Sequence, residues 1–189
     1  MSEKDTLKRI YIAGSDERKL VHDAYFGNGG FSDGGYLAPY QRESDSNFSH
    51  RKSLAYFFNY TKPVINSAVD PVFREYPVRT AAKDDARWEG FLADVDGKGT
   101  PLDRFMKKAA LRAKLDGEVF IVVDNESQTA ATLDVAVANR QYPYLYMLKV
   151  EDITDYVIDK HGKLLLFKYK TDFDTVTETG SKKTVVENW

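Results

Sequence analysis

The hydrophobic pattern of this chain changes period at Gly117. Before it, apolar residues recur every three or four positions, as a helix face requires; after it they alternate or run together, as strands do. Helices followed by strands do not suit an alternating β–α architecture with a parallel sheet. The expectation is an α+β fold, an N-terminal helical segment followed by a mostly antiparallel sheet. Three segments are expected: an N-terminal arm over 1–42 carrying a glycine-rich loop, a helical segment over 43–116, and a β segment over 117–189. The last of these is expected to continue past the end of the chain, because Trp189 falls within a strand pattern.

Within the arm, Asp16–Phe26 suits a short helix with Leu20, Val21, Ala24 and Tyr25 on one face. Gly27–Gly35 holds too many glycines for a regular element, and Tyr36, Leu37 and Tyr40 are expected to pin it to the body. Ser46 is expected to cap a helix over about Asn47–Tyr60, with Leu54, Ala55, Phe57 and Phe58 on its stripe. Pro63 suits the start of the next helix and Pro71 its end. Asp84 or Asp85 is expected to cap a helix through Trp88, Phe91 and Leu92. The clearest helix starts at Thr100-Pro101, with Asp103 as capping-box acid, and stops at Gly117. Its expected buried side is Leu102, Phe105, Met106, Ala109, Ala110 and Ala113.

Val119–Val123 reads as a strand covered on both faces, Asn125–Asn139 as a loop, and Tyr144–Leu148 as a second strand. Glu151–Ile153 suits one helical turn. Tyr156–Ile158 and Lys163–Lys170 flank His161-Gly162, a tight-hairpin signal. Strand character continues over Thr171–Glu178, turns at Thr179–Ser181 and resumes at Thr184–Val186.

The chemistry the chain could perform narrows quickly. With no cysteine there are no disulfides, thiolate metal sites or thiol nucleophiles. No stretch of about 18 uncharged apolar residues offers a membrane span, and the charged start Met1–Asp5 leads into no signal-peptide core. The 27 basic and 29 acidic residues leave a net charge of −2, unlike a DNA-coating protein. The glycine run lacks the lysine and the preceding strand of a phosphate loop. Asp94–Thr100 resembles a calcium loop, but Lys98 and Phe105 stand where oxygen ligands belong. Its expected role is a turn in which the aspartates bond backbone N–H groups and orient the helix after Pro101. His22, His50 and His161 are dispersed. Lys107, Lys108, Arg112 and Lys114 make a basic helix face, either solvated or facing nucleic acid or an acidic partner surface. Tyr142, Tyr144 and Tyr146 alternate along a strand and belong to a core or an interface. No catalytic, cofactor-binding or metal-binding residue is assigned.

A family resemblance rests on an ordered set of blocks spanning most of 36–153. They are Tyr36-Leu37-Ala38-Pro39 with Glu43, Arg51-Lys52 ahead of Ala55–Asn59, Val72–Pro77, Asp94–Leu102 with Phe105, Gly117 before the strand to Asp124, and Tyr142-Pro143-Tyr144 leading to Glu151–Ile153. In this order they resemble the N-terminal, wing-like part of tailed-bacteriophage portal proteins. Glu75 and Glu118 depart from that pattern, where basic residues are expected. The resemblance implies a non-enzymatic structural subunit that self-associates into a ring, usually of about twelve copies, at one capsid vertex. It implies terminase, capsid and head-completion proteins as partners, and DNA passing through the channel without a specific site in this segment. It also implies residence in the virion, and in host cytoplasm during assembly, with no membrane contact and no cofactor. The arm is expected to reach a neighbouring subunit. Two alternatives are a small adaptor or tail-completion protein, and a nucleic-acid-processing domain using Asp94, Asp96 and Asp124 around a divalent metal.

Overall fold

A computed structural model describes residues 8–9, 15–75, 77–80, 86–125, 132–139, 141, 143–159, 161–177 and 180–188. The fold is α+β. Contacts divide it into a helical unit, Ser15–Tyr146, and a sheet unit formed by Met1–Gly14 with Met147–Trp189. The glycine-rich loop and its preceding helix therefore belong with the helices.

In chain order the elements begin with β1 (Lys8–Arg9), α1 (Ser15–Phe26) and α2 (Gly30–Asp33). There follow α3 (Asp45–Leu54), α4 (Thr61–Val69) and a 3-10 turn at Asp70–Phe73. Next come α5 (Ala86–Ala93), α6 (Leu102–Asp116), β2 (Phe120–Asp124), α7 (Leu133–Ala138) and β3 (Tyr144–Leu148). A second 3-10 turn (Val150–Asp152) precedes β4 (Ile153–Ile158), β5 (Leu164–Thr177) and β6 (Gly180–Asn188).

Helix α6 organises the helical unit, packing against α1, α4 and α5. Phe105, Ala109 and Leu115 are its buried residues. Met106, expected inside, is exposed, because the buried stripe runs through Phe105, Ala109 and Leu115 and leaves Met106 to one side. The start of α6 also differs from expectation. Pro101 sits outside the helix as its N-cap, with no side-chain cap. Thr100 is buried instead, its backbone held by the preceding turn, and Asp103 pairs with Arg79 at 2.7 Å. Gly117 closes the helix at φ 83°, the left-handed conformation glycine adopts without strain.

Five further expectations are corrected. The aromatic stretch after Ser46 is not one helix: Ser44, not Ser46, accepts the capping bond from Asn47 N–H, and α3 stops at Leu54. Ala55 turns to φ −66°, ψ 135°, and residues 56–59 run without helical hydrogen bonds. Bulky aromatics favour extended backbone, and here they take it. The glycine run does hold a regular element, the single turn α2, bracketed by Gly29 and Gly34 at positive φ. Part of the Asn125–Asn139 region is helical, α7, whose Val135 N–H bonds Thr132 Oγ1. Strand β2 is not covered on both faces: among the described residues it pairs only with β3, and Ile121 and Val123 are exposed. In α1, Leu20 is likewise exposed while Asp23 is buried. The expected cap residues Asp84 and Asp85, Tyr142 in the tyrosine alternation, and Thr179 in the last turn lie outside the described residues.

The sheet unit is antiparallel with strand order β1-β4-β5-β6. The β4–β5 hairpin turns at the expected place. Asp159 Oδ1 accepts from the N–H groups of His161 and Lys163, both at 2.8 Å, and Gly162 takes φ 81°. Register shifts in this pair lie between Ile153 and Asp155 and between Val157 and Ile158. Neighbours Tyr156 and Val157, in regular register opposite Phe167 and Leu166, are both buried. Strands β5 and β6 pair from Tyr169–Asn188 down to Thr177–Gly180.

Candidate functional site

The most distinctive surface of the helical unit is the extended segment after α3. Side chains of extended backbone alternate, and here the two sides have different company. Phe57 turns inward, its ring 4.3 Å from that of Phe31. Asn59 also turns inward: its Nδ2 donates to Tyr25 O at 2.8 Å and its Oδ1 accepts from Lys62 N–H at 3.0 Å. Tyr56, Phe58 and Tyr60 turn outward and are 77%, 67% and 73% exposed. Their rings pack on one another, Tyr56 against Phe58 edge-on at 4.8 Å and Phe58 against Tyr60 stacked at 6.4 Å. Leu54 and Val64 extend the apolar surface at either end. Among the described residues, the backbone N–H groups of Tyr56–Asn59 meet no acceptor.

The support under this ladder is stiff. Phe31 on α2 also packs against Tyr36 at 4.9 Å, and Tyr36 Oη donates to the buried Asp23 at 2.5 Å. That bond, above all, raises the Tyr36 pKa. A side chain at Gly30 would enter the Tyr36 ring, and one at Gly29 would enter the Asp23 carboxylate. The glycine loop is therefore a clamp and not a hinge, and the part of the arm from α1 onward is fastened to the helical unit. As expected, Tyr36 is an anchor; Tyr40 remains exposed.

Next to it, Arg51 and Glu43 form a two-pronged pair: Nε donates to Oε1 at 3.0 Å and Nη2 to Oε2 at 2.8 Å. Arg51 Nη2 also donates to Ala38 O at 2.8 Å, and its guanidinium lies 4.3 Å from the Tyr40 ring centre. Glu43 further accepts from Tyr40 N–H at 2.9 Å. The Arg51 hydrogen bonds, then the Tyr40 N–H, lower the Glu43 pKa from 4.5 to about 2. A depressed carboxyl pKa contributes stability that is complete above 4.5 and is lost as pH falls through about 2. Protection of the Tyr40 amide, its exchange rate relative to an unstructured peptide at the same pH, is accordingly expected to hold at pH 5 and to fall between pH 4 and 2 (roughly the interval separating the two pKa values), well ahead of that of amides in α6. Uniform loss of protection at both would show that the clip is not a separate acid-sensitive unit.

The turn before α6 does what its sequence suggests. Asp96 Oδ1 accepts from Lys98 N–H at 3.0 Å and Thr100 N–H at 3.3 Å, with Gly97 and Gly99 at positive φ. Val95, fully buried, joins the turn to β3 through Leu145 N–H at 2.6 Å. Asp124 accepts from Tyr144 Oη at 3.1 Å and from Asn125 N–H. Asp94, Asp96 and Asp124 do not converge, and no group of three metal-capable side chains occurs among the described residues.

The basic face of α6 is partly neutralised, Lys107 by Asp70 at 2.8 Å and Arg112 by Asp116 at 2.7 Å. Tyr144 and Tyr146 stack at 6.2 Å. Of the histidines, His161 is exposed at its hairpin and His50 lies on α3. His22 Nε2 donates to Asp116 Oδ1 at 2.5 Å, joining α1 to α6 across 94 positions of sequence, a partnership that no local signal announces. The described residues include no helix long and apolar enough to cross a membrane. No family model and no curated protein matches this chain.

Proposed function

We propose that this chain is a structural, non-enzymatic subunit of a tailed-phage portal ring, supporting DNA packaging and ejection and the docking of terminase and head-completion proteins. The proposal joins two things: the ordered sequence blocks of 36–153 and one surface. That surface, the three-ring ladder Tyr56–Phe58–Tyr60, carries the reading. Soluble monomers scatter exposed apolar residues singly; contiguous aromatic patches mark contacts with partners. The ladder is held outward by two anchors on the inner side of its backbone, Phe57 on Phe31 and Asn59 on Tyr25, so it cannot fold away without breaking those contacts. Two resemblance blocks also meet in space here: Glu43 belongs to the first, and Arg51, Tyr56 and Phe58 to the second.

A ring subunit needs no reaction centre, and its work is done by surfaces that recognise copies of itself and docking proteins. Negative-stain microscopy of the full-length gene product tests this. Hollow rings are the expected particles. Dispersed particles of monomer size, at concentrations where phage assembly proteins associate, would overturn the proposal.

A further inference from the structure

A second surface of the helical unit is complementary to the ladder. It is an open pocket of about 440 Å³ between α5, the end of β2 and the start of β3. Trp88 and Phe91 stack along one wall at 5.9 Å; Val123, Gln141, Pro143 and Leu145 line the rest together with the polar Arg87 and Asn125. Two polar atoms in the wall, Trp88 Nε1 and Gln141 Oε1, are buried without a hydrogen-bond partner. One is a donor and the other an acceptor. A buried polar atom without a partner is costly and unusual. A small rotation of either side chain into the pocket would bring it to an occupant that offers a carbonyl and an N–H.

The ladder segment has that chemistry. It presents aromatic rings to an aromatic-walled hollow, and its backbone carries unused N–H groups alongside carbonyls. It cannot serve the pocket of its own chain, being bound to α1 and α2 through Asn59 and Phe57. We infer that the Tyr56–Tyr60 segment of one copy seats in the Trp88–Gln141 pocket of a second copy. This rests on the ring-subunit reading and specifies its junction. At roughly 150–250 Å² per large aromatic, the exposed parts of Tyr56, Phe58 and Tyr60 come to about half of the ~800 Å² each partner contributes to a stable interface. Leu54, Val64 and the pocket rim add to that area. Because the two surfaces differ, the contact is head-to-tail, the kind that closes rings; a ladder-to-ladder contact would stop at a dimer.

The experiment uses the full-length protein with a photo-crosslinking phenylalanine at position 58. Adducts on the neighbour's 87–91 or 141–145 peptides are expected. Adducts on the neighbour's own 54–60 segment, on another surface, or on a docking protein alone overturn the inference. Two exposed-site variants run in parallel: Phe58→Ser, which spoils the ladder, and Val123→Arg, which spoils the pocket mouth. Each is expected to lower self-association by roughly thirty-fold or more. Mixing them restores one good junction per pair, so a heterodimer and nothing larger is the expected product. Gln141→Leu checks the polar part and is expected to weaken association about tenfold with an unchanged thermal midpoint. Variants that still form wild-type rings would end this inference and leave the ring-subunit reading intact. A wild-type chain that never self-associates would end both.

Discussion

Replacing Asp116 with alanine is expected to destabilise the helical unit by about 3 kcal/mol, the low end of what removing one partner of a buried pair costs. Its side chain is 2% exposed, and each oxygen has its own donor, His22 on α1 and Arg112 one turn earlier on α6. Alanine would strip both donors of their acceptor and leave a small cavity where α1 and α6 pack. Both donors keep some access to water, which holds the cost at the lower figure. In a chain of this length the thermal midpoint should drop by roughly 6–12 °C. Arg112→Ala should cost much less, because the exposed end of a helical i,i+4 pair is worth only tenths of a kcal/mol. Equal losses for the two variants, or a shift under about 2 °C for Asp116→Ala, would show that the carboxylate does not tie α1 to α6.

The second large effect falls on assembly and leaves the fold unchanged. Changing Tyr56, Phe58 and Tyr60 together to serine removes about three large exposed side chains, in a position where interfaces concentrate their binding energy. The triple variant is expected to be monomeric by light scattering where the wild-type protein is assembled, with its circular dichroism and thermal midpoint within experimental error of wild type. Loss of the thermal transition would mean that the rings stabilise the fold; an unaltered assembled mass would mean that they are not at the junction.

The contrast between these two sites shows what was legible in the sequence. Helices α1, α4 and α6 could be read because their punctuation is local: Pro63 near the start of α4, Pro71 just beyond its end, and Gly117 at the end of α6. The β4–β5 hairpin was legible for the same reason, through Asp159 and His161-Gly162. The ladder was misread because Leu54, Phe57 and Phe58 also fit a helical spacing. Over so few residues the two periods overlap, and the deciding fact is tertiary: Phe57 and Asn59 find partners on α2 and α1 that an extended backbone alone can reach. Helix α7 was missed because its small residues carry little periodic contrast. Strand β2 was recognised, but its exposure depends on having a single partner strand, which composition does not reveal. The His22–Asp116 bond and the pocket with Trp88 and Gln141 depend on residues distant in sequence, and no spacing rule could have found them. The Glu43–Arg51 pair lies between both extremes, two halves of adjacent blocks whose contact needed the structure.

The most direct test of the account is the mass of the full-length gene product by native mass spectrometry. A single closed species is expected, as a head-to-tail junction that closes requires, with about a dozen copies, the number that the portal resemblance implies. A monomer at every concentration tested, or a dimer that grows no further, would contradict it.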